Sequence, residues 1–481
     1  MSRVAPAALA TPMPDPAVAP GREQAGHAAD NATWQARSRT AVWHPCTQTI
    51  RLEAAPPLPV AHGKGVWLHD YAGRRYLDAT SSWWVNLFGH AHPALNAALK
   101  DQLDHMAHVM LAGCTHGPAV ELSERLSALT GGVLGHCFYA SDGASAVEIA
   151  LKMSFHFWRN AGQPEKREFV CVQHGYHGET LGALGVTDVA IFRDAYAPLI
   201  TPAHIVPSPD MREAAVGESA ADVAHRAADA LEALLAARAG QIAAVVIEPL
   251  VQCATGMAMH DPVYLERVRA LCDRYAVHMV ADEIAVGCGR TGTFFACQQA
   301  GTAAQPVWPD FLCLSKGISG GYLPLALVMT RDAIYARFQD EDVNRSFLHS
   351  HSYTGNPMAC RAALATLDLF DSEDVLVRNR ARGARLAAAL QSELAGALAD
   401  GVIAHLRRQG MIFAFDVAPE WIGERFSERF HLAARAHGVL MRPIGRTVYL
   451  MPPYVISDDE IDWLAEQTAT ILRATLNGTM A

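Results

Sequence analysis

Two apolar runs in this chain end in residues able to do chemistry. Phe311-Leu312-Cys313-Leu314 is followed by Ser315-Lys316-Gly317, and Val277-His278-Met279-Val280-Ala281 by Asp282-Glu283. Short apolar runs without alternation suit strands buried on both faces, and in open parallel sheets ligands collect beyond the carboxyl ends of such strands. A lysine amine attacks an aldehyde only when neutral. Desolvation at a sheet rim lowers its pKa, so Lys316 is a candidate Schiff-base former. Taken alone, a strand-end lysine is more often a solvated side chain. Asp282 alters that balance, because a buried carboxylate holds a proton on a neighbouring ring nitrogen. Asp282 and Glu283 point to opposite faces of an extended strand, so only one can meet the ring. We expect Asp282, although the sequence leaves the facing open.

Two further segments extend the pattern. Cys137-Phe138-Tyr139-Ala140 reads as a strand, and a helix begins at Ala146-Val147-Glu148. The loop between them, Ser141-Asp142-Gly143-Ala144-Ser145, offers the free N–H groups of a helix N-terminus to an anion, with Gly143 and Ala144 as candidate contacts. It lacks the Gly-Lys-Ser/Thr ending of a nucleotide P-loop, and an ordinary helix cap reads the same way. In Gln173-His174-Gly175-Tyr176-His177-Gly178, Tyr176 can stack on a planar ring while the glycines allow close approach. The plain alternative is a core or surface aromatic. His174 and His177 lack Cys or acidic partners at metal-site spacing, so no metal is expected. A lysine for an aldehyde, a carboxylate for a ring nitrogen, amides for a phosphate and an aromatic for a ring face are what pyridoxal 5′-phosphate (PLP) requires.

The elements that must position these residues follow an α/β rhythm. Apolar runs at 136–140, 169–172, 243–247, 278–280, 311–314 and 325–329 alternate with helical segments such as the Ala-rich 220–239. The pattern predicts a large, mostly parallel sheet covered by helices. Helices are expected over 94–108 and 118–129, and a β-hairpin about Gly73. A C-terminal helix over 375–398 precedes alternating segments at 410–417 and 447–450, which suggests a smaller α+β domain. The domain reading is therefore a disordered Ala- and Pro-rich tail (1–33), an N-terminal segment packing with the small domain (34–92), a large cofactor-binding domain (93–360) and a C-terminal small domain (361–481).

Composition narrows the partners. The 481 residues are 51% hydrophobic, enough for a large core, and the net charge of −10 comes without a basic stripe for nucleic acid or anionic lipid. No stretch reaches the ~20 apolar residues of a bilayer span. The ten cysteines form no C-x-x-C pair, and several lie in apolar runs such as Phe311-Leu312-Cys313-Leu314, as buried thiols of a reducing, cytoplasmic compartment do.

Taken together, these segments resemble the class III aminotransferases of the aspartate aminotransferase superfamily, which have the PLP-dependent transferase fold of type I. The carrying block is Ala281-Asp282-Glu283-Ile284-Ala285-Val286-Gly287-Cys288-Gly289-Arg290-Thr291-Gly292, then Pro309-Asp310 and Ser315-Lys316-Gly317 before Gly320-Gly321. The likeness runs from about Trp43 to the C-terminus. It implies that Lys316 carries PLP, that Asp282 pairs with the pyridine nitrogen, and that the enzyme is a homodimer with its active site at the interface. From the segment Ser350-His351-Ser352, His351 and Ser352 would then bear on the cofactor, Ser352 through a phosphate contact across that interface.

Within the family, four segments are similar to the members of biotin formation that aminate 8-amino-7-oxononanoate with S-adenosylmethionine as donor. They are Trp43-His44-Pro45-Cys46-Thr47-Gln48, Ser81-Ser82-Trp83-Trp84, Gly175-Tyr176-His177-Gly178, and Met441-Arg442-Pro443-Ile444-Gly445 with Tyr449-Leu450-Met451-Pro452-Pro453-Tyr454. The acceptor ends in a carboxylate on an aliphatic chain, which suits a guanidinium and apolar walls. Arg442 is the expected carboxylate partner and Trp83 and Tyr449 the walls, with Tyr176, Lys316 and Ser350 also at the substrate. Cys46 stands where a familiar form of the pattern has Tyr, and Asp142-Gly143-Ala144 where it has Ser-Gly-Ser. The alternatives are a class III aminotransferase taking its amine from lysine or an ω-amino acid, a PLP aminomutase, and a PLP-binding protein without turnover.

Overall fold

A seven-stranded mixed sheet frames the site in the computed structural model, which describes residues 30–477. In chain order its strands are β1 (His136–Ala140), β2 (Glu168–Val172), β3 (His204–Val206), β4 (Ile242–Ile247), β5 (His278–Asp282), β6 (Phe311–Leu314) and β7 (Ala326–Thr330). Their spatial order is β1-β7-β6-β5-β4-β2-β3. Only β7 runs antiparallel to its neighbours, so the sheet is mostly parallel as the apolar runs predicted. The edge strand β3, short and half-exposed, was not foreseen.

Both faces of the sheet are covered, which explains the unbroken apolar runs. On one face Ala244 and Val246 of β4 pack with Ala146, Val147 and Ala150 of helix α1 (Gly143–Asn160). On the other, Val245 and Ile247 pack with Ala224, Ala227 and Leu231 of α2 (Ala220–Arg238) and Leu265 and Val268 of α3 (Val263–Tyr275). Small residues on α2 permit close approach to its neighbours, and Ser219 with Asp222 closes a capping box at its start. The parallel pairing sets Asp282 of β5 beside Cys313 of β6. Lys316 follows three residues later, so carboxylate and amine emerge at the same sheet edge.

C-terminal to the large sheet lie α4 (Pro357–Ser372), α5 (Val375–Glu393) and an antiparallel sheet of β8 (Ile403–Gln409), β9 (Ile412–Val417) and β10 (Thr447–Leu450). The expected hairpin is formed by Trp67–Asp70 and Arg75–Asp78, and Val439–Leu440 adds to its second strand in parallel.

The chain divides into two compact units, one up to Ala61 together with Asp70–Arg74, the other His62–His69 with Arg75 onward. In the first, helix Asn31–Ala41 is capped by the Asp30 carboxylate, which accepts the Thr33 N–H at 2.8 Å. Asn31 donates to Asp70 at 3.0 Å, and Trp34 stacks on Tyr71. The tail expected over 1–33 is corrected at its end: residues 31–33 are helical because Asp30 supplies an N-cap. Residues 1–29 lie outside the described residues. Cys46 belongs to this first unit and is exposed; the candidate site lies wholly in the second.

Candidate active site

Lys316 leaves β6 in a left-handed conformation, φ 47°, held on one side by the Ser315 hydroxyl donating to the Leu325 carbonyl at 2.9 Å. Its Nζ lies 4.6 Å from the centre of the Trp84 ring. Burial lowers the amine's pKa, opposed by the charges of Cys253, Asp282 and Glu248, and so enlarges the neutral fraction that attacks aldehydes.

The two adjacent carboxylates separate as an extended strand requires. Asp282 is buried, with one oxygen 2.8 Å from His177 Nδ1 and the other accepting the Ile284 N–H at 3.0 Å. Glu283 turns the opposite way and accepts the N–H groups of Ala296 and Cys297 at 2.7 and 2.8 Å, anchoring a 3-10 turn. Burial raises the Glu283 carboxyl to about 7 despite those bonds.

His177 is a functional candidate that sequence reasoning treated only as a non-ligand. Burial opposes its charge, but the hydrogen bond to Asp282 and the charges of Asp282 and Glu248 hold its pKa above the usual value. Its Nε2 is buried without a hydrogen-bond partner. Glu248, just past β4, accepts the N–H groups of Tyr176 and Cys253, both at 3.0 Å, and burial pushes it up to about 7. It thereby ties the Tyr176-His177 loop to the sheet. The Tyr176 hydroxyl donates to Glu179 at 3.0 Å.

The anion loop closes around the same point. The Asp142 side chain caps α1 by accepting the Ser145 N–H at 2.9 Å, which leaves the amides of Gly143 and Ala144 at the positive end of the helix without an acceptor one turn back. A Cβ on Gly143 would stand 2.9 Å from the Ile284 side chain, and one on Gly178 2.5 Å from the Ala144 Cβ. The loop therefore packs between the end of β5 and the Tyr176 loop. His351 reaches it too, with Nε2 2.7 Å from the Ser141 hydroxyl, while Ser350 and Ser352 are exposed.

Aromatic residues form the other side. Ser81, Ser82, Trp83 and Trp84 all have positive φ, from 47° to 74°, making a turn of left-handed helix that costs L-residues roughly 1–2 kcal/mol each. Trp84 is buried, and its indole N–H donates to the Tyr449 hydroxyl at 3.2 Å; Trp83 is 52% exposed. Arg442 is exposed, and its charge acts on the buried Tyr449 phenol, whose pKa burial pushes up to about 12. Arg290 is instead buried. Its guanidinium donates to the carbonyls of Pro452, Trp84 and Asn86 at 3.0–3.3 Å, which makes it a backbone tie.

A strand-end lysine beside a buried aspartate, at the carboxyl edge of a mostly parallel sheet, defines a PLP-dependent transferase of fold type I, and the chain belongs to the class III aminotransferases. The family model described as aminotransferase class-III matches residues 51–472. Over 423 residues the chain is 42% identical to the adenosylmethionine-8-amino-7-oxononanoate aminotransferase of Helicobacter pylori, covering 87% of this chain and 93% of that one. Identity to the protein of the same name from Geobacter sulfurreducens is 38%, with 91% and 96% covered. Among solved structures, the protein of that name from Methanocaldococcus jannaschii superposes with a TM-score of 0.84 at 31% identity, covering 92% of this chain and 99% of that one. An (S)-enantioselective omega-transaminase from Thermomicrobium roseum gives 0.86 at 30%, with 93% and 99% covered.

The cofactor of this family is PLP, and the residues present fit it. They combine an amine with lowered pKa, a buried carboxylate and two amides at a helix N-terminus at one sheet edge.

Proposed function

We propose that this enzyme transfers the amino group of S-adenosylmethionine to 8-amino-7-oxononanoate, yielding 7,8-diaminononanoate, a step of biotin formation. The observation that carries this reading is the aromatic side of the Lys316 pocket, Trp84 hydrogen-bonded to Tyr449, in a chain whose relatives bearing that enzyme's name align over nearly its full length. An aliphatic chain suits the aromatic walls, and its terminal carboxylate suits Arg442. Trp83, exposed beside Trp84, extends the wall, and Tyr176 covers the opposite ring face.

When bound, PLP supplies an electron sink and an aldehyde carbon that carries the amino group from one substrate to the other. The chain's own residues do the rest. Lys316 would hold the cofactor through its amine, and Asp282, backed by His177, would keep the ring nitrogen protonated. The amides of Gly143 and Ala144, with Ser352 of a second subunit, would take the phosphate. Once released, Lys316 Nζ acts as base at the amine-bearing carbon of the donor and as acid at C7 of the acceptor. Arg442 orients both substrates in turn by their carboxylates.

We infer a cytoplasmic homodimer. Leu348 and Tyr353, 72% and 64% exposed, flank Ser350-His351-Ser352, and large exposed apolar side chains beside a cofactor segment suit a subunit contact. Free thiols at all ten cysteines suit a reducing compartment.

The test is product formation followed by mass spectrometry, with each donor offered separately. Diamine from 8-amino-7-oxononanoate that depends on S-adenosylmethionine supports the reading. Diamine formed only with lysine or an ω-amino acid moves the donor assignment, and product formed from the acceptor alone identifies an aminomutase.

A further inference from the structure

The left-handed turn at Ser81–Trp84 contains no glycine, although glycine would adopt its backbone without strain. Something outside the turn must hold it, and the side chains it presents must repay the strain. The Ser81 hydroxyl is tied to the Met451 carbonyl at 2.7 Å, and the charged holder is Asp78, a fully buried carboxylate at the end of the hairpin. One of its oxygens accepts the Ser82 N–H at 2.9 Å, and the other accepts the Ser82 hydroxyl at 2.6 Å and lies 3.2 Å from His90 Nε2. The Asn86 side-chain amide lies 3.1 Å from His90 Nδ1. Asn86 and Trp84 also give their backbone carbonyls to the Arg290 guanidinium. The chain leaving the turn is thus bound back to the carboxylate that grips its start.

We propose that Asp78 is a positioning residue for substrate affinity: through Ser82 and His90 it holds the left-handed turn that keeps Trp84 against Lys316 and leaves Trp83 exposed beside it. The proposal rests on the reading that Trp83 lines the acceptor's slot. Asp78 touches neither substrate nor cofactor, and acts only by fixing which way the two indoles point. Relaxing any of the four residues to right-handed φ would swing at least one indole away.

A double-mutant cycle on the PLP-loaded enzyme tests this. Ser82→Ala removes one hydrogen bond to the carboxylate and Asp78→Asn removes the charge. Each is expected to raise KM for 8-amino-7-oxononanoate about tenfold, the scale of one hydrogen bond to a charged group, with kcat within about twofold and visible cofactor absorbance retained. In a Trp83→Ala background Ser82→Ala is expected to raise KM by clearly less than it does alone, the remainder coming through Trp84. Should Asp78→Asn fail to fold, Ser82→Ala alone decides. A KM unchanged in Ser82→Ala, or effects of Ser82→Ala and Trp83→Ala that multiply, would overturn the proposal. Near-UV circular dichroism of the cofactor-free protein gives an arm independent of turnover. The difference between wild type and Trp83→Ala should collapse when both carry Ser82→Ala, and a difference that persists overturns the proposal as well. If the wild type does not aminate 8-amino-7-oxononanoate, the functional reading falls while this dichroism arm still decides the role of Asp78.

Discussion

His177 Nδ1 and Asp282 Oδ2 stand 2.8 Å apart with both side chains buried, so the carboxylate assigned to the ring nitrogen is itself held by an imidazole. Asp282 and Glu248 keep the His177 pKa above its ordinary 6.5, against the opposing effect of burial. For a group raised on folding, the stabilisation is complete below the unfolded value and is lost as pH rises through the folded one. The stability lost on His177→Gln should therefore be larger at pH 6 than at pH 9, measured as the difference in Tm between wild type and variant. A difference that grows toward alkaline pH would mean that the histidine is buried neutral.

Asp282 and Glu283 are neighbours with separate work, and substitution should divide them. Asp282→Asn removes the charge facing His177, and kcat should fall on the order of 10²–10³-fold, the scale of losing one electrostatic stabiliser of the reacting centre. Glu283→Gln disturbs the anchor of the turn at Ala296 and Cys297 and should lower Tm with a smaller change in kcat. Steady-state kinetics beside thermal melts would show the reverse pattern if Glu283 were the ring partner.

Tyr449→Phe should cost about 1–3 kcal/mol of stability, because it leaves the buried indole N–H of Trp84 without its acceptor. Trp84→Phe removes the donor as well, and combining the two should cost less than the sum of the single changes. Urea unfolding of the four proteins measures the coupling, and strict additivity would show that the bond contributes nothing.

Lys316 and Asp282 were legible in the sequence because each closes an apolar run, and parallel-sheet geometry gives the ends of such runs a meaning. Glu248 closes Ile242–Ile247 in the same way, so its signal was present and passed over. His177 lay in a segment that carried the resemblance, but its bond to Asp282, 105 residues away, left no mark in the sequence. The left-handed turn was invisible for a different reason: Ser and Trp are residues that ordinarily avoid positive φ, and the spacing of Asp78 and His90 about it does not announce the hydrogen bonds they make, while Met451, Arg290 and Tyr449 reach it from far along the chain. Strand β8 escaped because a bulge between Ala404 and Arg407 breaks its alternation. Helix Asn31–Ala41 buries no residue and so carries no amphipathic stripe to read.

The most direct test of the account is the visible absorption spectrum of the PLP-loaded protein, titrated with S-adenosylmethionine and then with 8-amino-7-oxononanoate. The lysine-bound cofactor band should disappear with the donor and return with the acceptor, and Lys316→Ala should show neither change. A band that S-adenosylmethionine leaves untouched would contradict the assigned donor, and a Lys316→Ala protein that keeps the band and turns over would contradict the central assignment of Lys316.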